Sequence, residues 1–175
     1  MDIYFCRKGL AYVCRILQEK LPEDHVADCD AEDVPEIALR ADVLIPTVSP
    51  VTAEAMQSPR LRLVQQYGAG LDSVDIQAAT EAGIYVANVP TSGTGNAESV
   101  AEIALLFMLG LARKYRETQE SIRWGLLGSP MEQALKGKTA AIIGYGGIGR
   151  ALAQRLSGFG MPLFAVSKNG PRARD

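Results

Sequence analysis

The sequence predicts an α/β fold built on parallel sheets, and three observations predict it. Short apolar runs alternate with stretches of helical spacing almost from the first residue, the pattern of repeated βα units with helices on both faces of a sheet. The runs are brief, as buried strands are. Late in the chain, Gly144, Gly146 and Gly149 fall between one such run and a helical stretch, a spacing that belongs to a strand–turn–helix unit.

In chain order, residues 3–6 form the first expected strand and 10–19 the first helix, with Leu10, Val13, Cys14 and Leu17 at helical spacing. Residues 25–29 are a weak strand and 35–40 a short helix. A stronger strand, Val43–Ile45, is stopped by Pro46. A short helix over 52–56 and a strand over 61–66 follow. Residues 74–82 are a helix closed by Gly83 at its C-terminal cap, and 84–87 the next strand. Residues 90–95 mix turn formers with small polar groups and make a linker. It opens a long helix over 97–116, with Glu98 and Glu102 early and Arg113, Lys114 and Arg116 late, as the macrodipole favours. Its middle, 103–112, is apolar on every side, which predicts burial all round by another domain or a second subunit. After a connection over 125–136 come a strand (139–143), a helix (150–157), a second strand (163–166) and a polar loop (167–175). The expected domains are an α/β unit over 1–95, then a linker helix and the opening part of a dinucleotide-binding domain over 96–175.

Each glycine of the late motif has a physical task there. Gly144 permits the tight turn, Gly146 lets backbone approach a pyrophosphate, and Gly149 lets helix and strand pack closely. With Tyr145, Gly147 and Ile148 between them, these residues present amides at the helix N-terminus, where the partial positive charge favours a phosphate. An NAD-type site carries an acidic residue about 20 positions further on, for the ribose 2′-hydroxyl. Here that place falls at Ser167, followed by Lys168. A hydroxyl beside an ammonium suits a 2′-phosphate, with Arg172 or Arg174 as added charge. The expected cofactor is therefore NAD(P), leaning to NADP; a solvated Ser-Lys turn with no nucleotide preference is the other reading.

Composition narrows the classes further. At 175 residues, 47% of them hydrophobic, the chain can bury a sizeable core. A net charge of −2 and a pI near 5.5 give no basic footprint for nucleic acid. No apolar run approaches the ~20 residues of a membrane span, and the first five residues lack a basic-then-apolar signal. Cys6, Cys14 and Cys29 make neither a metal spacing nor an even disulfide set. Free thiols, no metal and a cytoplasmic location are the expectation.

Three runs carry a resemblance: Tyr67-Gly68-Ala69-Gly70-Leu71-Asp72-Ser73-Val74-Asp75, then Gly83-Ile84-Tyr85-Val86-Ala87-Asn88-Val89-Pro90, then Gly95-Asn96-Ala97-Glu98-Ser99-Val100-Ala101-Glu102. Together, over about 61–168, they resemble the D-isomer-specific 2-hydroxyacid dehydrogenases; Thr94-Gly95-Asn96-Ala97, with Leu109-Gly110-Leu111-Ala112-Arg113-Lys114 downstream, looks most like the phosphoglycerate-dehydrogenase-like branch. The resemblance implies a flavodoxin-like substrate domain followed by a Rossmann domain, and a small 2-keto or 2-hydroxy acid as substrate. It implies that the amides of Gly68, Ala69 and Gly70 face the substrate carboxylate. Read alone, those residues are equally a tight turn after a strand. It also places Asn96 against substrate; read alone, Asn96 serves as well as a helix cap. Asp72 and Asp75 are turn and helix caps.

The family's arginine, glutamate and histidine of catalysis lie later in its Rossmann domain, so the resemblance implies no catalytic residue within this chain. The one histidine, His25, has no motif around it. The expected function is that of the N-terminal part of an NAD(P)-dependent dehydrogenase, inactive alone, homodimeric through the 97–116 helix, and binding neither nucleic acid nor membrane. The alternatives are a non-catalytic nucleotide-binding or scaffolding protein of the same fold, and a subunit whose Rossmann sheet another chain completes.

Overall fold

In the computed structural model, which describes residues 1–167, strand after strand is three or four residues long and apolar enough to be covered on both faces. The chain divides into two units, Met1–Pro90 and a second from Thr91 onward. The first contains β1 (Asp2–Phe5), α1 (Ala11–Lys20), β2 (His25–Asp28), α2 (Val34–Ala38), β3 (Val43–Ile45), β4 (Leu63–Gln65), α3 (Ile76–Glu81) and β5 (Tyr85–Ala87). All pairings are parallel, in the order β2-β1-β3-β4-β5. That is the doubly wound, flavodoxin-like order.

Period-two alternation divides β1 between two cores. Tyr4 and Cys6 join Val34, Leu44 and Val64 on one side. Ile3 and Phe5 join Cys14, Val43 and Ile45 on the other. The elements differ from their sequence expectations mainly at the ends. The expected 52–56 helix is a single 3₁₀ turn, Ala55–Gln57. The expected 74–82 helix starts two residues late because Val74 is held in a parallel bridge to Val51. Asp75 then caps it, accepting from the Ala78 N–H at 2.9 Å, and Gly83 takes the positive φ of 70° that ends it.

The second unit contains α4 (Asn96–Ala112), α5 (Tyr115–Arg123), β6 (Ala140–Ile143), α6 (Gly147–Leu156) and β7 (Leu163–Val166). β6 and β7 pair in parallel, Ala140 opposite Leu163. Small side chains let α4 and α6 meet: Ala97, Ala101 and Ala151 are buried together, with Ile148 and Leu152 against them.

Two expectations for this unit are corrected and one is narrowed. The helix expected over 97–116 is two helices, because Lys114 adopts φ 42° between them. Of the two covers expected for its apolar middle, the described residues of this chain do not supply one, since Phe107 is 62% and Leu111 80% exposed, which leaves a second subunit. The helix expected from Arg150 begins at Gly147, inside the glycine motif. Among the described residues, no helix is long and apolar enough to cross a membrane. Nor are three His, Cys, Asp or Glu side chains there placed to hold a metal ion.

Candidate functional site

In the first unit, the loop leaving β4 at the carboxyl edge of the sheet carries Gly68, Ala69 and Gly70. The ladder runs one residue past the strand, Gln66 N–H donating to Ala87 C=O at 2.7 Å, before the chain turns. The next carbonyls are then taken up one by one. Gly68 C=O accepts from Val89 N–H at 2.9 Å, Ala69 C=O from Asn88 Nδ2 at 2.7 Å, and Gly70 C=O from Gln66 Nε2 at 2.7 Å.

A trans peptide sets each carbonyl opposite the following N–H. Carbonyls turned toward those donors therefore leave the N–H groups of Ala69, Gly70 and Leu71 facing the other way, and among the described residues none has an acceptor. Consecutive outward amides form an anion-binding concavity. A cleft of about 460 Å³ adjoins the loop, lined in part by Thr47, Tyr67, Asp72 and Ser73. Thr47 Oγ1 and Ser73 Oγ are buried there without a hydrogen-bond partner, and Thr47 holds φ 57°, a strained value for a β-branched residue. Strain of this kind gathers at binding sites.

The second unit builds a different loop of unpartnered amides. Gly144 turns the chain at φ 95°. A Cβ on Gly149 would come within 2.3 Å of the Gly144 carbonyl oxygen, so strand and helix touch where only glycine fits. Gly146 caps α6 with no side chain bonded over the end, and the first helical bond inside it is Arg150 N–H to Gly146 C=O at 3.0 Å. The amides of Gly147, Ile148 and Gly149 therefore lack helical partners. The Tyr145 carbonyl accepts from Arg150 Nη1 at 3.3 Å. The room left by a bare Gly147 is taken by Thr91, whose Oγ1 would lie 2.8 Å from a Cβ there. Ser167 follows β7, half-buried; Lys168 lies outside the described residues.

Asn96 is the first residue of α4, not its cap. Gly95 fills the cap position at φ 78°, and the Asn96 backbone N–H points to Thr94 Oγ1 at 3.4 Å. His25 opens β2, at the edge of the first sheet opposite the Gly68 loop. There it meets Asp2 at 3.4 Å and Tyr4 edge-on, its side chain 57% exposed. The sequence reading missed Gln66, Asn88 and Thr47. Only a pair of polar residues ending an apolar run, Gln65-Gln66, hinted that the first of these is held for a reason.

A model of the D-isomer specific 2-hydroxyacid dehydrogenase catalytic domain matches residues 4–167. The glyoxylate reductase of Korarchaeum cryptofilum is 35% identical over 152 residues, 83% of this chain and 42% of that protein. The D-3-phosphoglycerate dehydrogenase of Mycobacterium leprae is 36% identical over 126 residues, 70% of this chain and 23% of that protein. The chain thus spans less than half the length of either relative. Among solved structures, the NAD-dependent formate dehydrogenase of Staphylococcus aureus in complex with NAD superposes with a TM-score of 0.74 at 26% identity, over 100% of this chain and 59% of that one. Since the family match covers nearly all of its length, the chain belongs to the D-isomer specific 2-hydroxyacid dehydrogenases.

Proposed function

We propose that this chain provides the carboxylate-holding and nucleotide-holding parts of an NAD(P)-dependent dehydrogenase for a small 2-keto or 2-hydroxy acid. The row of outward amides at Ala69, Gly70 and Leu71 carries the reading, because it matches a carboxylate and serves no bond within the described residues. On this reading the segment 1–95 is the substrate domain, and Asn96 is a substrate-binding residue by the same family resemblance.

The segment 96–175 takes the dinucleotide. Its turn fits a diphosphate, given the uncapped amides of Gly147 and Ile148 and the bare backbone of Gly146. A nicotinamide dinucleotide, when bound, supplies or accepts the hydride. Ser167 and Lys168, where an NAD site carries an acid, favour a 2′-phosphate and hence NADP. The exposed Leu106, Phe107 and Leu111 of the 97–116 segment support a homodimer, and the buried free thiols suit a cytoplasmic protein.

A proton donor for the reaction does not come from His25, which stands at the opposite edge of its sheet. Binding without turnover is therefore the expected behaviour of these 175 residues. The same observation favours the second reading, a nucleotide-binding or scaffolding protein. Calorimetric titration with NADPH and NADH, absorbance during incubation with glyoxylate, and sedimentation test the set together. The expected result is tighter NADPH than NADH, no turnover above a protein-free blank, and a dimer. Absence of binding by either nucleotide would overturn the nucleotide assignment, tighter NADH the leaning to NADP, and turnover the assignment of binding alone.

A further inference from the structure

Gln66 is 3% exposed, and a buried side-chain amide must be bonded at both ends or destabilise its surroundings. Here both ends are used on one turn. Oε1 accepts from Tyr67 N–H at 2.8 Å and Nε2 donates to Gly70 C=O at 2.7 Å. The two bonds also fix which end is which: with the amide reversed, NH₂ would meet N–H and oxygen would meet oxygen. Gln65 Nε2 donates to the Gln66 carbonyl at 3.0 Å and holds the strand end beneath it.

We infer that Gln66 is a positioning residue for the anion loop: its buried amide closes the 67–70 turn and sets the Gly70–Leu71 peptide so that Leu71 N–H faces outward. Asn88 does the same, one peptide earlier, for Gly70 N–H. The Ala69 amide is set by backbone alone, through Val89. The three amides therefore differ in what aims them, and only two are sensitive to a side chain. The inference rests on the proposed carboxylate role of this loop for its functional meaning, and on hydrogen bonds alone for its geometry.

Gln66→Glu provides a test that a merely space-filling residue would not pass. Ionised, the introduced carboxylate accepts from Tyr67 N–H but sets a negative oxygen against Gly70 C=O. Protonated, it is again a donor to Gly70 and an acceptor from Tyr67, as glutamine is. Burial favours the protonated form, so the restoring transition falls within reach of mild acid. The ionisable side chains already at the loop are Tyr67 and Asp72, and the unsubstituted chain measured across the same pH range accounts for them.

The experiment is an amide-resolved NMR titration with oxalate of the full chain, Gln66→Glu and Gln66→Met. Oxalate is expected to move the Ala69, Gly70 and Leu71 amides. Gln66→Glu should bind about tenfold or more weakly at neutral pH, the loss of roughly one charge-assisted bond, and recover in mild acid. Gln66→Met, of similar volume, should stay weak at every pH while the β1–β3 resonances keep their positions.

Equal affinity in all three proteins, or no pH-dependent recovery in Gln66→Glu relative to the parent, would overturn the inference. Failure of the parent itself to bind oxalate overturns the carboxylate role instead. The positioning role is then decided by hydrogen exchange at Leu71, whose amide should exchange freely in the parent and shift its protection in Gln66→Met. An unchanged Leu71 amide would overturn it.

Discussion

The two units follow the same βα grammar and reach different degrees of closure. In the first, β1, β3 and β4 each pair on both edges, and Leu44 and Val64 at the centre are fully buried. In the second, β6 and β7 each have one partner among the described residues, and Ile143 is 89% exposed on their open side. Strand composition does not explain the difference, since Ala140–Ile143 is as apolar as Val43–Ile45. A parallel strand gains a covered face only when helices lie on both sides of an interior position. The first sheet has interior positions and the second has edges. Apolar burial is thus a property of place in a sheet rather than of the strand.

The largest expected effect breaks the comparison at its centre. Leu44→Ala removes a side chain from a fully enclosed site in the larger core and should cost about 2–5 kcal/mol of the first unit's stability. Phe164→Ala trims a larger apolar residue from β7, where it is 64% exposed, and should stay within about 0.5 kcal/mol. Amide exchange of β3 and β6, followed separately, checks both. Comparable losses in the two variants would mean that the second unit's open face is covered in solution.

The next effect is local and sharpens the contrast between the Gly68 loop and the glycine motif. Gly149→Ala sets a methyl 2.3 Å from the Gly144 carbonyl and 3.2 Å from Ile142 Cγ2. One neighbour is backbone and cannot swing away, so the variant should lose about 1–3 kcal/mol in the second unit and, with it, the nucleotide binding proposed for that motif. Gly68→Ala meets nothing within 4 Å and should leave the first unit's stability nearly unchanged. Calorimetry with NADPH beside a denaturant melt separates the two. The glycine motif is thus required by helix–strand contact, whereas the Gly68 loop is shaped by the hydrogen bonds behind it.

That distinction explains what the sequence made legible. Strands such as Val43–Ile45 announce themselves because a short apolar run ended by proline has few other uses. The glycine motif is legible because steric contact restricts residue type, and 2.3 Å admits only hydrogen. Helix α5 is hidden because Tyr115 and Ile122 are its only large apolar residues, too few to mark a face. The start of α6 is hidden because glycine is the poorest helix former after proline, so Gly147–Gly149 look like loop. Gln66 is hidden for another reason. Its bonds reach four residues along the turn it closes, a local closure that no periodicity of the sequence marks.

The smallest expected effect is electrostatic and belongs to the first unit alone. At the amino-terminal edge of its sheet, Arg60 pairs with both Asp2 and Asp42, the latter at 3.1 Å. The hydrogen bond from Arg60 holds the Asp42 carboxyl below the ordinary carboxylate range, and the Asp2 backbone N–H, donating at 2.7 Å, adds to this. A carboxyl whose folded pKa is depressed contributes stability above its unfolded pKa and loses it as pH falls through the folded one. Arg60→Met removes the first cause and leaves the second. The variant's first unit should therefore be slightly less stable than the parent's at neutral pH, and the gap should close in acid, where both carry a protonated Asp42. Added salt should narrow the same gap, because the pair is partly exposed and screened. Denaturant melts across pH and ionic strength, read at β1 and β6 separately, would show the gap at β1. A gap that persists in acid, or that spreads equally to β6, would mean that Arg60 stabilises by packing its stem rather than by its charge.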